Sequence, residues 1–187
     1  MSLREELERI AAAASEHAAP GEDVAAVLAT EPAGGRRLYL CAFARDGGEE
    51  RAWLALDEAG RPVQDGGVVR EAASIAALCE VAVEAAGGGD LEELRAQLVA
   101  LRLREAPPGI EAAEEAALAL ERAVGGPPRV ASPAFLDAVG AATLRLERAL
   151  GQDGPSPFAE AMRQAVGVVE ALTAEVERGY KRPLPAA

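Results

Sequence analysis

The side chains that most often carry chemistry are sparse in this chain, and their spacing suits few reactions. His17 is the only histidine. A zinc or di-metal centre needs several ligands, and neither a cysteine at ligand spacing nor a Glu-x-x-His pair accompanies it. Its place after Leu3, Leu7, Ile10 and Ala14 on one helical stripe points instead to packing or to complementing a helix C-terminus. The nucleophile candidates are Ser74, Ser132, Ser156, Cys41 and Cys79. No serine sits in a G-x-S-x-G elbow, and Ser132-Pro133 and Ser156-Pro157 read as helix starts. Cys79 falls within an apolar helix, where burial raises a thiol's pKa and makes it inert. Gly87-Gly88-Gly89 is not followed by Lys-Ser/Thr and is not a phosphate loop. The many glutamates fall off the apolar stripes and read as a solvated face, so no inward acid is expected.

Trp53 is the most informative single residue. On a strand it shares a face with Arg51 and Asp57, and an indole between a guanidinium and a carboxylate suits a partner or a small ligand. Tyr39 and Leu40 on the neighbouring strand complete the candidate binding set. Core packing is the competing reading for Trp53, and it is favoured because only 3% of the residues are aromatic. Arg36, Arg37 and Arg61 lie near enough in sequence to supply anion contacts, with pairing to the protein's own acids as the alternative.

The elements that must position these residues are legible from hydrophobic periodicity. Residues 3–18 read as a helix ended by Pro20-Gly21, and residues 22–31 as a strand with Val24, Ala26 and Leu28 on one side. Pro32 to Gly35 reads as a turn. Two strands then flank Asp46-Gly47-Gly48. A two-residue loop pairs Phe43 with Ala52, Cys41 with Leu54 and Tyr39 with Leu56, which makes one face wholly apolar. A Gly60-Arg61-Pro62 corner leads to Val68–Ala86, apolar almost all round and expected to lie against that face. Four amphipathic helices follow, separated by glycine and proline breaks. Their stripes include Leu91, Leu94 and Leu98, then Ile110, Ala113 and Ala117, then Val139, Thr143 and Leu146.

The expected fold is therefore α+β and mostly helical. A small antiparallel meander over about residues 22–57 packs on a buried helix and an antiparallel helical bundle. The 187 residues suit a single domain, with a subdivision into a 1–86 helix–meander–helix lobe and a 90–182 bundle lobe. A net charge of −12 disfavours nucleic acid and anionic membranes. Two cysteines are too few for a disulfide framework, and the N-terminus, charged from residue 4, lacks a signal-peptide apolar region, so a cytoplasmic location is expected. No metal or cofactor motif is present. The functional expectation is a non-enzymatic interaction or adaptor protein that self-associates, a homodimer, because the hairpin offers two apolar faces and only one helix to cover them. The alternative is a small-molecule binding or sensing domain with a pocket between the meander and the helices.

Overall fold

A computed structural model describes residues 1–32, 35–45, 48, 51–87, 90–104, 108–126, 128–151 and 157–182. In chain order its elements are α1 (Leu3–Ser15), β1 (Glu22–Thr30), β2 (Leu38–Arg45), β3 (Arg51–Asp57), α2 (Gly66–Gly87), α3 (Asp90–Arg104), α4 (Ile110–Val124), β4 (Val130–Ala131), α5 (Pro133–Ala149) and α6 (Pro157–Gly179). The α+β class read from periodicity is the class observed. The expected turns at Pro32–Gly35 and Asp46–Gly48 fall largely outside the described residues. So do Gly88, Gly89, Pro107, Pro127, Ser156, the Asp90 side chain and the tail from Pro183.

Two compact units divide the chain discontinuously. The sheet unit comprises Met1–Ala77, Pro128–Pro133 and Gly167–Ala187, and the helical unit comprises Leu78–Pro127 and Ala134–Val166.

In the sheet unit the strand order is β3-β2-β1-β4, with β4 parallel to the end of β1 and the other pairs antiparallel. The three-stranded meander expected from sequence thus gains a fourth, two-residue strand, joined where the Glu31 amide donates to the Ala131 carbonyl at 2.7 Å. A two-residue strand has no periodicity to read. The β2–β3 register is the one that apolar alternation selects, with Tyr39 opposite Leu56, Cys41 opposite Leu54 and Phe43 opposite Ala52.

β1 departs from simple alternation. Its pairing with β2 shifts between Val24 and Ala26, so Ala25 is an extra residue in the ladder. The bulge brings Val24 and Val27 onto one face with Tyr39, Cys41, Phe43, Leu54 and Leu56. That corrects the expected placement of Val24 with Leu28.

α1 covers this face, not the Val68–Ala86 helix to which the sequence reading assigned it. Ile10 and Ala14, both fully buried, pack with the strand residues, and Leu3 and Leu7 join them. α1 ends at Ser15, short of the expected residue 18, but it is well started. The Ser2 hydroxyl accepts from the Glu5 amide while the Glu5 carboxylate accepts from the Ser2 amide, a reciprocal cap. The helix stops at Ser15, so His17 lies past its end and is exposed rather than packed on the stripe.

The opposite face is covered within the same chain. Leu38, Leu40, Ala42, Trp53 and Ala55 are each 4% exposed or less. Val69, Ala72, Ala73, Ala76 and Ala77 of α2 are likewise buried. The free apolar sheet face inferred from the sequence does not exist.

The outer edge of β3 is also closed. The Val63 amide donates to the Ala55 carbonyl at 2.8 Å, and the Asp57 amide donates to the Arg61 carbonyl at 2.9 Å. Beyond α6, Tyr180 bridges to Trp53 in parallel, and the Lys181 amide donates to the Trp53 carbonyl at 2.6 Å. An open edge is a template for unwanted pairing, and here the chain's own segments occupy it.

The helical unit has its own core. Leu91, Leu94, Leu98, Ile110, Leu120 and Leu146 are at its centre, with Ala113, Ala117, Val139 and Ala142 among the smaller members. All of these except Ala142 are positions the 3-4 spacing selects. α3 and α4 pack antiparallel, as two interhelical ion pairs show. Arg95 meets Glu121 at 3.2 Å, and Arg102 meets Glu114.

Candidate functional site

The residues proposed from sequence do not converge. Tyr39 and Trp53 are both buried but occupy opposite faces of the sheet, so no single pocket on one side includes both. Leu40 is buried on the Trp53 face. Arg51 is exposed, and Asp57 is half-buried at the far end of the same strand. For Trp53 the core reading describes its position, at 2% exposure beneath the end of α6.

Asp57 builds a turn. One carboxylate oxygen accepts from the amides of Ala59 and Arg61, each at 2.9 Å, and the other accepts from the Arg61 guanidinium at 3.2 Å. Partial burial pushes its pKa up, but these donors outweigh that and hold the carboxyl below its ordinary value. Gly60 completes the turn at φ +77°, where a side chain is disfavoured.

This turn forms one wall of a cleft of about 650 Å³ within the sheet unit, lined in part by Arg36, Arg37, Arg61, Glu58 and Asp65. The three arginines singled out from sequence therefore do meet, but two are already committed. Arg37 bridges Glu31 at 2.7 Å and Glu6 at 3.1 Å. The hydrogen bonds it donates to Glu31, and then to Glu6, raise its pKa against partial burial. Arg61 is held by Asp57. Asp65 caps α2, accepting from the amides of Gly67 and Val68. Arg36 and Arg61 are both exposed, but Arg36 alone of the three has no ion pair among the described residues. A cleft whose charges largely neutralise one another holds the fold more than it grips an anion.

Lys181, the only lysine, anchors the C-terminal segment. Its ammonium pairs with Glu22, donates to the His17 carbonyl at 3.2 Å and lies 4.1 Å from the centre of the Phe43 ring. The Tyr180 hydroxyl donates to the Val63 carbonyl. The Lys181 hydrogen bond and the Ala19 amide hold Glu22 below the usual carboxylate value, against partial burial. Burial pushes the Tyr180 phenol up and the Cys41 thiol up to about 12, so Cys41 remains a protonated thiol near neutral pH.

One acid was missed. Glu147 on α5 is 4% exposed, although no inward acid was expected. The signal was present, since Val139, Thr143 and Glu147 follow one another at intervals of four. Among the described residues no group of three histidine, cysteine, aspartate or glutamate side chains could hold a metal ion.

The second unread feature is an exposed apolar strip on the α3–α4 pair. Val99 and Leu103, one turn apart on α3, are 58% and 83% exposed, and Leu118 on α4 is 50% exposed. Arg95, Val99 and Arg102 recur at the spacing of one helical stripe, as do Glu114, Leu118 and Glu121. Because Arg95 pairs with Glu121 and Arg102 with Glu114, Val99 and Leu118 lie between the two ion pairs, at nearly the same level. The ion-paired side chains are themselves between 31% and 60% exposed. The result is a seam with large aliphatic residues at its middle and opposite charges along its two sides.

The molecule is thus an α+β protein with a closed sheet unit and a helical unit that presents an apolar seam. No protein-family model matches the chain, and no curated protein or solved structure gives a significant match.

Proposed function

We propose that this protein is a non-enzymatic interaction module that self-associates or adapts one protein to another, with the helical unit as its binding surface. The observation that carries this reading is the α3–α4 seam: Val99, Leu103 and Leu118 stay in water while the sheet unit buries both of its faces. Large aliphatic residues framed by polar ones are the pattern of a small protein-binding surface. The buried positions of Trp53, Tyr39 and Leu40 move the proposed surface away from the sheet. The absence of a transmembrane-length apolar helix among the described residues is compatible with the reading.

A small-molecule site is the second reading, and the cleft beside Arg36 is the observation in its favour. Native mass spectrometry on freshly purified protein separates the two. The interaction reading expects a multiple of the 19.3 kDa chain, or the chain with a second polypeptide, without added small mass. A bare monomer at micromolar concentration would overturn self-association, and a bare monomer that also captures no protein would overturn the interaction reading. A reproducible small adduct lost on denaturation would replace it with the ligand reading, and Arg36→Ala should then release the adduct.

A further inference from the structure

Resting on the interaction reading, we infer that the occupant of the α3–α4 seam is a second copy of this chain, laid face to face about a two-fold axis that runs along the helix pair. Charge geometry selects this occupant. On the seam, α3 carries Arg95 and Arg102, and α4 carries Glu114 and Glu121 at matching levels. The members of each pair are seven residues apart, about 10 Å along the helix.

A two-fold axis parallel to the helices sets α3 of one copy over α4 of the other without changing level. Arg95 then faces Glu121 of the second copy, and Arg102 faces its Glu114. Val99 and Leu103 come over the second copy's Leu118, so the exposed aliphatic groups leave water together. A two-fold axis across the helices would instead stack α3 on α3 and set arginine against arginine. Like charges at such distances disfavour that arrangement, so the seam itself selects the first axis. Each guanidinium gains a second carboxylate, and each intrachain pair becomes part of a four-charge cluster.

The charge of −12 opposes the approach of two copies at low ionic strength. At physiological salt the Debye length is about 8 Å, so distant repulsion is screened while contacts within the seam survive better. The inferred pairing therefore tightens on going from very low salt to physiological salt.

Sedimentation equilibrium on the full chain provides the test. The wild-type protein should show a monomer–dimer equilibrium, and Val99→Asp should weaken it by about tenfold or more. Val168→Asp, at an exposed valine outside the seam, should leave it unchanged. Reversing all four charges together, R95E/R102E/E114R/E121R, should restore both intrachain pairing and dimerisation. A dimer insensitive to Val99→Asp overturns the seam while leaving self-association standing. A monomeric chain that binds a different protein, released by Val99→Asp, overturns the second copy as occupant while leaving the interaction reading standing. If the four-charge reversal dimerises no better than Val99→Asp although it remains folded by circular dichroism, the charge argument fails.

Discussion

The sheet unit and the helical unit place their large side chains by different rules. In the sheet unit Tyr39, Phe43, Leu54 and Leu56 face α1, and Trp53 and Leu40 are buried on the other side. Its charged residues reach across the sequence, as in Lys181 to Glu22 and Arg37 to Glu6. The helical unit fills its centre with leucines and closes the gaps with alanine, whose small side chain lets helices approach. That economy leaves aliphatic residues over at Val99, Leu103 and Leu118. The contrast is one of coverage: the sheet unit buries its large side chains on both faces, whereas the helical unit leaves ordinary leucine and valine in water, and that exposed strip is the surface proposed for association.

The largest effect that could break this contrast comes from the sheet core. Trp53→Ala should cost about 3–5 kcal/mol in urea unfolding, the usual range for a buried aromatic. Under conditions where the variant remains folded, its dimerisation should match the wild type. A variant with normal stability and lost association would put the binding surface back on the sheet.

Next in size is a pair of glycine substitutions in α6 with opposite signs. Replacing glycine by alanine within a helix ordinarily gains about 0.5–1 kcal/mol. Gly167 has no neighbour within 4 Å of an added methyl, so Gly167→Ala should show that gain. At Gly179 the methyl would lie 2.3 Å from the Arg51 carbonyl oxygen and 3.3 Å from Trp53 Cδ1. Gly179→Ala should therefore lose about 1–3 kcal/mol, because backbone cannot yield as a flexible side chain does. Equal effects at the two sites would show that the end of α6 does not seat on β3.

A loss smaller than the upper end expected at Gly179 tests the role of the C-terminal segment. Lys181→Met removes the partner of Glu22 and should cost about 1–2 kcal/mol near neutral pH. Glu22 has its pKa lowered by folding, so the unfolded chain binds its proton more readily. The stabilisation is complete above its ordinary value of 4.5 and fades as pH falls through the lower folded value. Acid titration of unfolding free energy should accordingly show a shallower decline below pH 4.5 in Lys181→Met than in wild type. An unchanged acid slope would mean that other carboxylates, Asp57 among them, carry the dependence.

The local elements and one long-range feature were legible in the amino-acid sequence. Glycine and proline breaks separate the helices, 3-4 spacing picks out Leu91, Leu94 and Leu98, and alternation sets the β2–β3 register. That register was readable because a one-residue slip would turn every side chain of the strand over. The rest came from packing between distant segments. A bulge at Ala25 has no marker in an alanine-rich strand, yet it sets Val24 and Val27 on the same face. The choice of α1 over α2 to cover that face depends on competition between two apolar surfaces, which periodicity does not rank. β4 and the Tyr180–Lys181 segment exist only through backbone pairing with residues about a hundred or more positions away. The seam, too, depends on tertiary structure: Val99 and Leu118 are ordinary helix residues until packing leaves them between two ion pairs and in water.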